Sequence, residues 1–375
     1  MTSASSIKQP APWFRDAGVI LPVVALCVGI VFQVLDAGGM HSPLAVEAVQ
    51  GIALLGLVFW TVFVALRHAE AIAHRVGEPY GTLVLTFAVT AIEVSVIVAV
   101  MLHGEPNPTL ARESVFSTVM IVCGGVIGLC LTLGGWLHGH QELKRQGTSA
   151  LLAVVMALSA LTLIMPNFTL TGTGTYSTLQ LVFVSLLCLL LYGTFILAQM
   201  TRHRDDFVEE RTSPQVEEPV PPGRGLVASF ALLMAGLIGI VLLAEHLAAG
   251  LETNLEALHI RQLDAIIGAF IATLVLMPEM VSAVRAALGN DLQRAINIAL
   301  GSACATIGLT IPVVAAVSLL TGSELTLGLK AGDMVLLVLA LAISIVSFGT
   351  GRTTVLTGAV HLVVFVAFLL LIAVP

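Results

Sequence analysis

Long apolar stretches follow one another along the chain and are separated by short polar segments. A helix needs about 20 predominantly apolar residues to cross the hydrocarbon core of a bilayer. Eleven stretches reach or approach that length, and the fifth and the tenth are the shortest. The pattern therefore predicts an all-α polytopic membrane protein whose transmembrane helices lie at residues 18–36, 46–67, 80–102, 114–137, 150–166, 178–199, 226–249, 263–287, 295–320, 333–349 and 353–373.

The composition agrees with a protein that resides in a bilayer. The chain is 57% hydrophobic and 10% charged, whereas soluble domains carry about 25% charged residues. Such a chain has too little polar surface to be an ordinary cytosolic enzyme, a disordered regulator or a fibrous protein. Its net charge of −7 gives no basic surplus, so the lipid bilayer is an expected partner and nucleic acid is not.

The charged loops predict the orientation of the helices. Cytoplasmic loops of membrane proteins carry an excess of Lys and Arg. With the N-terminus inside, 13 of the 16 Lys and Arg residues are cytoplasmic, and the other three are Arg112, Arg261 and Lys330. We therefore expect a cytoplasmic N-terminus and an external C-terminus.

An acidic, proline-containing segment at residues 201–225 divides the chain. It follows a cytoplasmic leader with the first helix (1–45) and a first repeat (46–200), and it precedes a second repeat (226–375). This segment is interpreted either as a solvated spacer or as a segment that attracts or senses cytoplasmic cations. Each repeat holds five predicted helices, an odd number, so the two repeats must be inverted relative to each other, as in many secondary transporters.

Two matching motifs and two acidic residues support this pairing. Val122–Leu129 reads VCGGVIGL, and Ser302–Leu309 reads SACATIGL. Upstream of each motif lies one glutamate deep in a span, Glu93 or Glu279. A carboxylate near the midplane costs several kcal/mol unless it is solvated, paired or protonated. A single such residue could be structural, but two at matching positions indicate a shared cation- and proton-binding site.

The neighbours of Glu93 and Glu279 can supply further oxygen ligands. Threonine and serine hydroxyls lie one turn from each glutamate, although back-bonding to the helix is an alternative role. Pro278 has no N–H, so we expect a broken helix that offers backbone carbonyls to a cation. Such an all-oxygen site suits hard cations such as Ca²⁺ or Na⁺. The supporting positions are Thr90, Ser282, Leu274 and Val275.

Four further residues are weaker candidates. Asn297 and Ser302 follow in the next helix and either reach the cavity or serve helix packing. Glu78 is either an entrance ligand for cations or an acid that stabilises a helix N-terminus. His361, in the last span, is either a proton relay or a core histidine with satisfied hydrogen bonds.

The two glutamates can bind protons as well as cations. Desolvation and a neighbouring carboxylate both favour the protonated acid, so proton binding and cation binding exclude each other at one site. That competition is the physical basis of proton–cation exchange. No cofactor is expected, and no GxxxxGK[ST] loop for a nucleotide is present in the sequence.

The segment GEPYGTLVLTFAVTAIEVSVI resembles the first α-repeat of the calcium/cation antiporter superfamily, CAX branch. The similarity extends to RHAEAIAHRVGEPYG, the Pro278–Glu279 region, QRAINIALGSACATIGLTIPVV (293–314) and SFGTGRTTVLTGAVHL (347–362), and it is closest to the bacterial ChaA type. The resemblance implies eleven helices, inverted five-helix repeats, an acidic cytoplasmic segment between them and the bacterial cytoplasmic (inner) membrane. It also implies Ca²⁺/H⁺ exchange, with Na⁺/H⁺ and K⁺/H⁺ exchange for the ChaA type.

The chain departs from the family pattern around the expected site. The family glutamates of G-N-x-x-E align with Glu93 and Glu279, and the acid of G-E-x-x-G aligns with Glu78. The family asparagines are replaced by Thr90 and Leu276. These changes remove side-chain amides from the site and leave room for monovalent cations.

Residues and resemblance together predict a secondary active transporter that exchanges cytoplasmic Ca²⁺, and also Na⁺ or K⁺, for external protons. A monovalent-cation:proton antiporter and a proton-independent Na⁺/Ca²⁺ exchanger are the alternatives, and a cation channel is a more distant one. An intramembrane hydrolase is not expected, because the sequence has no HExxH motif. Inorganic cations and protons are the expected partners, and assembly into a homo-oligomer is left open.

Overall fold

The computed structural model describes residues 12–37, 44–76, 80–103, 107–170, 174–201, 225–257 and 262–374. These residues form eleven helices and one two-stranded sheet, with strands β1 (Gln141–Glu142) and β2 (Arg352–Thr353). The helices are α1 (Pro12–Ala37), α2 (Leu44–Val76), α3 (Tyr80–His103), α4 (Leu110–His138), α5 (Arg145–Phe168), α6 (Thr178–Met200), α7 (Leu226–Ala257), α8 (Leu263–Leu288), α9 (Leu292–Thr321), α10 (Ala331–Gly349) and α11 (Val355–Ala373).

The prediction of an all-α membrane protein is confirmed. Among the described residues, ten helices are long and apolar enough to cross a bilayer, and α3 contains a shorter apolar helix over Phe87–Leu102. The fifth helix is longer than the predicted span, because its polar first turns precede the apolar stretch. The chain is therefore a multi-pass protein, with five helices after α1 on each side of the acidic segment.

The helix break expected at Pro278 is wrong. α8 continues from Leu263 to Leu288 with Pro278 inside it. Proline removes one backbone hydrogen bond, but a buried helix can tolerate that loss when its neighbours hold the backbone in place. Pro278 is itself buried. Pro278 therefore leaves the carbonyl of Leu274 without its helical hydrogen bond, but it does not break the helix.

Three helices instead contain a wide π-helical turn. These π segments are Ile121–Val126 in α4, Ala160–Ile164 in α5 and Thr306–Thr310 in α9. Wide turns of this kind are rare and are often found at functional sites. In α5 the carbonyl of Leu161 accepts a 2.5 Å hydrogen bond from the Tyr176 hydroxyl. Burial raises the pKa of Tyr176 to about 12, so the phenol keeps its proton and remains a donor.

The described chain divides into two compact units. The first comprises Met1–Leu85 and Gln215–Leu247 and is built mainly on α1, α2 and α7. In this unit α1 and α7 approach closely, since a Cβ on Gly239 would lie 2.7 Å from the backbone nitrogen of Leu26. Small residues allow such close helix packing in membranes. His68 of α2 also contacts the carbonyl of Gly18 on α1 at 2.8 Å.

The second unit comprises Thr86–Pro214 and Ala248–Pro375. Its centre is the pair α4 and α8, which lie side by side and run in the same direction. Near their starts, a Cβ on Gly268 would lie 2.8 Å from the Cβ of Glu113. At their ends, His138 Nε2 contacts the carbonyl of Leu288 at 3.0 Å. Around this pair, α9 packs against α5, α6 and α8, and α11 packs against α4.

Two loops of the second unit meet in the small sheet. Strands β1 and β2 pair antiparallel, with Gln141 opposite Thr353 and Glu142 opposite Arg352. Arg352 and Glu142 form a 2.8 Å ion pair whose side chains are both 71% exposed. An exposed pair of this kind contributes at most about 1 kcal/mol, so the strand pairing and the buried side chain of Thr353 hold the loops together.

Candidate functional site

Glu93 lies on α3 and is buried in the second unit, with 3% of its surface exposed. Its Oε2 accepts a 2.6 Å hydrogen bond from the hydroxyl of Thr306 on α9. Its Oε1 is buried and has no hydrogen-bond partner within the described part of the chain. A buried carboxylate oxygen without a donor is costly to leave bare, which makes Glu93 a candidate for binding a proton or a cation.

Glu279 lies on α8 in the same unit and is half-buried. Its Oε2 is buried and also has no hydrogen-bond partner in the described ranges. The carboxylate is close enough to that of Glu93 for the two charges to interact. The structure thus brings together two acids that are far apart in sequence, and their mutual repulsion is relieved when a proton or a cation is bound.

The supporting positions from the sequence lie around these two acids. Thr90 is 4% exposed and precedes Glu93 by one turn of α3. Ser282 is half-buried and follows Glu279 by one turn of α8. Val275 is 2% exposed, and Leu274 is half-buried. Pro278 offers no N–H to the carbonyl of Leu274, so that oxygen lacks its usual donor although the helix is continuous.

Thr306 is a site residue that the sequence analysis missed. It begins the π segment Thr306–Thr310 of α9, is 1% exposed and bonds Glu93 directly. The motif SACATIGL contains Thr306, so the sequence indicated this turn of the helix. It did not indicate that the Thr306 side chain bonds Glu93. The π segment Ile121–Val126 of α4 packs against α8, the helix of Glu279. Each glutamate therefore belongs to a helix that packs against, or bonds to, a π segment of the opposite half.

Asn297 and Ser302 are placed differently from each other on α9. The Oδ1 of Asn297 accepts a 2.9 Å hydrogen bond from Gln293, whose own Oε1 accepts one from the backbone N–H of Lys144. Asn297 thus belongs to a network that ties the start of α9 to the α4–α5 loop. Ser302 is half-buried and lies one turn before Thr306, which puts it nearer to Glu93.

His361 occupies a defined place on α11. It is 1% exposed, its Nδ1 contacts the carbonyl of Cys123 at 2.6 Å, and its Nε2 contacts the hydroxyl of Ser347 at 3.0 Å. A carbonyl can only accept, so this geometry assigns the proton to Nδ1 and makes Nε2 the acceptor. Of the two roles considered, the structure favours a core histidine, because both nitrogens are bonded and one of them supports the π segment of α4.

A buried ion pair near the start of α4 was also missed. Arg112 donates to Glu113 Oε1 from Nε at 3.1 Å and from Nη2 at 2.5 Å. Its Nη1 donates to the carbonyl of Gly328 at 2.9 Å. Arg112 is 5% exposed and Glu113 is 3% exposed. The sequence analysis counted Arg112 as a loop charge, because adjacent unlike charges at a helix start do not reveal burial.

Two of the predicted features lie wholly or mostly outside the described residues. Glu78 and most of the acidic segment at 201–225 lie outside the described ranges. Within those ranges, no group of three or more His, Cys, Asp and Glu side chains is arranged to hold a metal ion. The site therefore consists of two acids, with hydroxyls and a freed carbonyl beside them.

Comparison with known proteins finds relatives that match nearly the whole chain. The family model described as sodium/calcium exchanger protein matches residues 46–201 and 228–374. The chain is 47% identical over 324 residues to y4hA of Sinorhizobium fredii, whose name describes an ionic transporter, and the match covers 85% of this chain and 87% of that protein. It is 36% identical over 362 residues to the sodium-potassium/proton antiporter ChaA of Escherichia coli, with 96% of each chain covered.

A solved structure shares the fold. The Ca²⁺/H⁺ antiporter protein YfkE superposes with a TM-score of 0.70 at 18% identity, and the match covers 96% of this chain and 99% of that chain. The family model spans both halves of the chain, and the relatives match over nearly its whole length. The chain therefore belongs to the sodium/calcium exchanger protein family.

Proposed function

We propose that this protein exchanges cytoplasmic cations for external protons by alternating access at a site made by Glu93 and Glu279. Ca²⁺ is the expected substrate, together with Na⁺ or K⁺. Thr306 joins Thr90, Ser282, Ser302 and the carbonyl of Leu274 as supporting groups. The protein works in the bacterial cytoplasmic membrane, with its N-terminus inside, its C-terminus outside and its two five-helix halves inverted.

The observation that carries the proposal is the pair of acids in one unit, each with one buried carboxylate oxygen. Each has an oxygen without a hydrogen-bond partner among the described residues, and the two charges interact. With both acids ionised, their repulsion and desolvation favour binding of a cation between them. With protons bound, the same oxygens are neutral and release the cation. One site can therefore serve both substrates in turn.

The nature of the cation is supported from two directions. Carboxylates, hydroxyls and a carbonyl are hard oxygen ligands, which suit Ca²⁺ and Na⁺ better than soft metals. The relative ChaA is named for sodium, potassium and protons, and YfkE is named for Ca²⁺ and protons. Leu276 stands where the calcium/cation antiporter pattern has an asparagine, and Val275 beside it is buried. The loss of that amide favours a site that also accepts monovalent cations.

Inside-out membrane vesicles test this proposal. Vesicles that contain the protein are loaded with acid, and a pH-sensitive dye reports proton release when CaCl₂, NaCl or KCl is added separately. We expect proton release with Ca²⁺ and also with at least one monovalent cation. Glu93→Gln and Glu279→Gln should each abolish the response, because a neutral amide cannot exchange a proton for a cation.

A matched variant and a second gradient make the result specific. Glu142→Gln carries the same substitution on an exposed acid of β1 and should transport like the parent. Normal transport by both Glu93→Gln and Glu279→Gln would refute the site. Calcium uptake driven by a sodium gradient, without proton release, would instead show proton-independent Na⁺/Ca²⁺ exchange. Cation flux without any counter-ion would show a channel.

A further inference from the structure

Three loops of the second unit meet where α4 and α8 end, and they are bonded to one another. His138, the last residue of α4, contacts the carbonyl of Leu288 at 3.0 Å through its Nε2. In the loop that follows α4, Gln141 donates to Asn290 Oδ1 at 2.9 Å, in the turn between α8 and α9. The same loop pairs through β1 with β2, which lies between α10 and α11. We call this joined surface the loop platform and define it as residues 136–145, 285–294 and 350–354.

Buried contacts fix the shape of the loop platform. Gln293 is 1% exposed, and its Oε1 accepts a 2.8 Å hydrogen bond from the backbone N–H of Lys144. The backbone N–H of Leu143 donates to the carbonyl of Gly351 at 3.0 Å. A Cβ on Gly351 would lie 2.8 Å from Cγ of Arg145. The stem of Arg145 therefore lies against the residue that precedes Arg352, which brings two arginines of different loops to one edge of the platform.

The loop platform carries an excess of basic side chains. Its charged residues are the bases Lys144, Arg145, Arg285, Arg294 and Arg352 and the acids Glu142 and Asp291. Both acids already have partners inside the platform. Glu142 forms the exposed ion pair with Arg352, and Asp291 accepts a hydrogen bond from the backbone N–H at the start of α9. Because the whole chain has a net charge of −7, this local excess of positive charge does not follow from the composition.

The opposite end of the same helices has the reverse charge. The charged residues that the structure describes at the starts of α4, α8 and α10 and in the α9–α10 loop are the acids Glu113, Asp264, Glu324 and Asp333 and the bases Arg112 and Lys330. Arg112 is buried in its ion pair with Glu113. The described part of the second unit is thus basic at one end and acidic at the other.

Exposed apolar side chains border the loop platform. Trp136, in the last turn of α4, is 79% exposed, and its neighbour Leu137 is exposed as well. Leu288, at the end of α8, is also exposed. Tryptophan is enriched at the boundary between membrane and water, where its ring lies at the level of the lipid headgroups. This border indicates that the basic side chains of the platform stand at headgroup level.

We propose that the loop platform binds the headgroups of anionic phospholipids in the cytoplasmic leaflet. Arginine side chains suit phosphate oxygens, because the planar guanidinium can donate two parallel hydrogen bonds. Arg145 and Arg352 supply this chemistry at one edge, Lys144 adds a third positive charge, and Trp136 lies in the interface beside the headgroups. Basic side chains near the anionic cytoplasmic surface are attracted to it. Only the assignment to the cytoplasmic leaflet rests on the proposed function.

The position of the platform favours a lipid over a soluble anion. A soluble phosphate compound gains nothing from exposed apolar side chains, whereas a phospholipid places its phosphate next to the bases and its chains next to Trp136 and Leu137. The three loops belong to helices that cross the bilayer, so the platform meets lipid headgroups without any further movement of the chain. Bound lipid then holds the linked ends of α4, α8 and α10 at one depth.

Quenching of Trp136 fluorescence tests the proposal. In a background with Trp13→Phe and Trp60→Phe, Trp136 is the remaining tryptophan of the three in the chain. The full-length protein is reconstituted in phosphatidylcholine vesicles that contain brominated phosphatidylglycerol or, separately, brominated phosphatidylcholine. Bromine quenches tryptophan at short range. We expect phosphatidylglycerol to bind beside Trp136 about tenfold more tightly than phosphatidylcholine. Equal quenching by the two lipids would refute the proposal.

Charge variants show whether the platform causes this preference. The triple variant Lys144→Gln, Arg145→Gln and Arg352→Gln should reduce the preference to about twofold or less. Lys330→Gln removes an exposed base at the opposite end and should leave it unchanged. Choline chloride, which screens charges without adding a transported metal ion, should weaken the preference. A preference that survives in the triple variant, or that does not respond to salt, would refute the role of these bases.

Two further variants separate this proposal from its alternatives. The acidic segment at residues 201–225 is the other candidate occupant of a basic surface. We expect the same lipid preference when its six acids are changed to Asn and Gln, whereas a preference that emerges only after this change would refute lipid as the occupant. Glu93→Gln, which should lack exchange, should bind lipid like the parent, because the measurement involves no transport. Failure of the proposed exchange and failure of lipid binding are therefore distinguishable.

Discussion

The two glutamates of the site have different surroundings. Glu93 is 3% exposed and accepts a hydrogen bond from Thr306 on another helix. Glu279 is half-buried, and its buried Oε2 has no partner among the described residues. The carboxylate of Glu93 is thus bonded to another helix, whereas the buried Oε2 of Glu279 has no such bond among the described residues. The two acids therefore differ in their contacts, although they occupy matching places in the two halves of the sequence.

The difference between them has a source in the repeated motif. When VCGGVIGL is matched with SACATIGL, Val126 stands at the position of Thr306. Val126 ends the π segment of α4 and is 2% exposed. The π segment of α9 therefore carries a hydroxyl that bonds Glu93, and the matching position in the π segment of α4 carries a methyl group in its place. A repeat can keep its backbone architecture while its polar contacts diverge.

Shortening each acid should break the comparison most strongly. Glu93→Asp withdraws the carboxylate from Thr306 and from a fixed position, so we expect about a hundredfold loss of cation-driven proton release. Glu279→Asp should lose only about tenfold, because its buried Oε2 has no hydrogen bond among the described residues that a shorter side chain would break. Initial rates in vesicles, normalised to the amount of protein, measure both. Equal losses would contradict the distinction between a carboxylate bonded to another helix and one without such a bond.

Removal of the hydroxyl partner should have a smaller effect. Thr306→Val deletes the donor that stabilises ionised Glu93, so protons compete better and the apparent cation affinity should weaken about tenfold, in line with a hydrogen bond to a charged group of ~1.5–3 kcal/mol. The concentration dependence of isotope exchange measures this affinity. Thr306→Ser retains the hydroxyl and should restore most of it. Failure of serine to restore the affinity would mean that the methyl group of Thr306 matters instead.

Adding the missing partner should have the smallest effect. Val126→Thr places a hydroxyl, at nearly constant volume, in the π segment of α4, which packs against the helix of Glu279. We expect this hydroxyl to donate to Glu279. The new donor favours the ionised acid, so the apparent cation affinity should rise about threefold, a gain near the typical net value of one hydrogen bond. Val119→Thr, at a fully buried position of the same helix, controls for the cost of burying a hydroxyl. A weaker affinity in Val126→Thr than in Val119→Thr would contradict the proposed symmetry.

Local features of the sequence were sufficient to predict the helices and to single out the pair of acids. The thickness of a bilayer sets the length of an apolar span, so eleven helices could be counted without any long-range contact. A lone carboxylate in an apolar span is conspicuous because it is costly, which singled out Glu93 and Glu279. The missing hydrogen bond at Pro278 follows from the chemistry of proline alone. Whether the helix also breaks there depends on the neighbouring helices, and the predicted break was wrong.

The contacts of those acids could not be predicted in the same way. Thr306 lies 213 residues from Glu93 in sequence. Nothing in the sequence distinguished it from other threonines in the spans as a partner of Glu93. The burial of Arg112 with Glu113 depends on the carbonyl of Gly328, which comes from a distant loop. His361 could be read as a relay or as a core residue until its two partners, Cys123 and Ser347, were known.

The sequence by itself determined that the protein crosses a membrane about eleven times and that it carries one deep glutamate in each half. Both properties follow from the cost of placing polar groups in hydrocarbon, which acts on each segment separately. Only the tertiary structure decided which hydroxyls meet those glutamates and which residues in a wide helical turn face them. These choices depend on how helices pack across hundreds of residues, because a hydrogen bond forms only when its two partners are brought within about 3 Å.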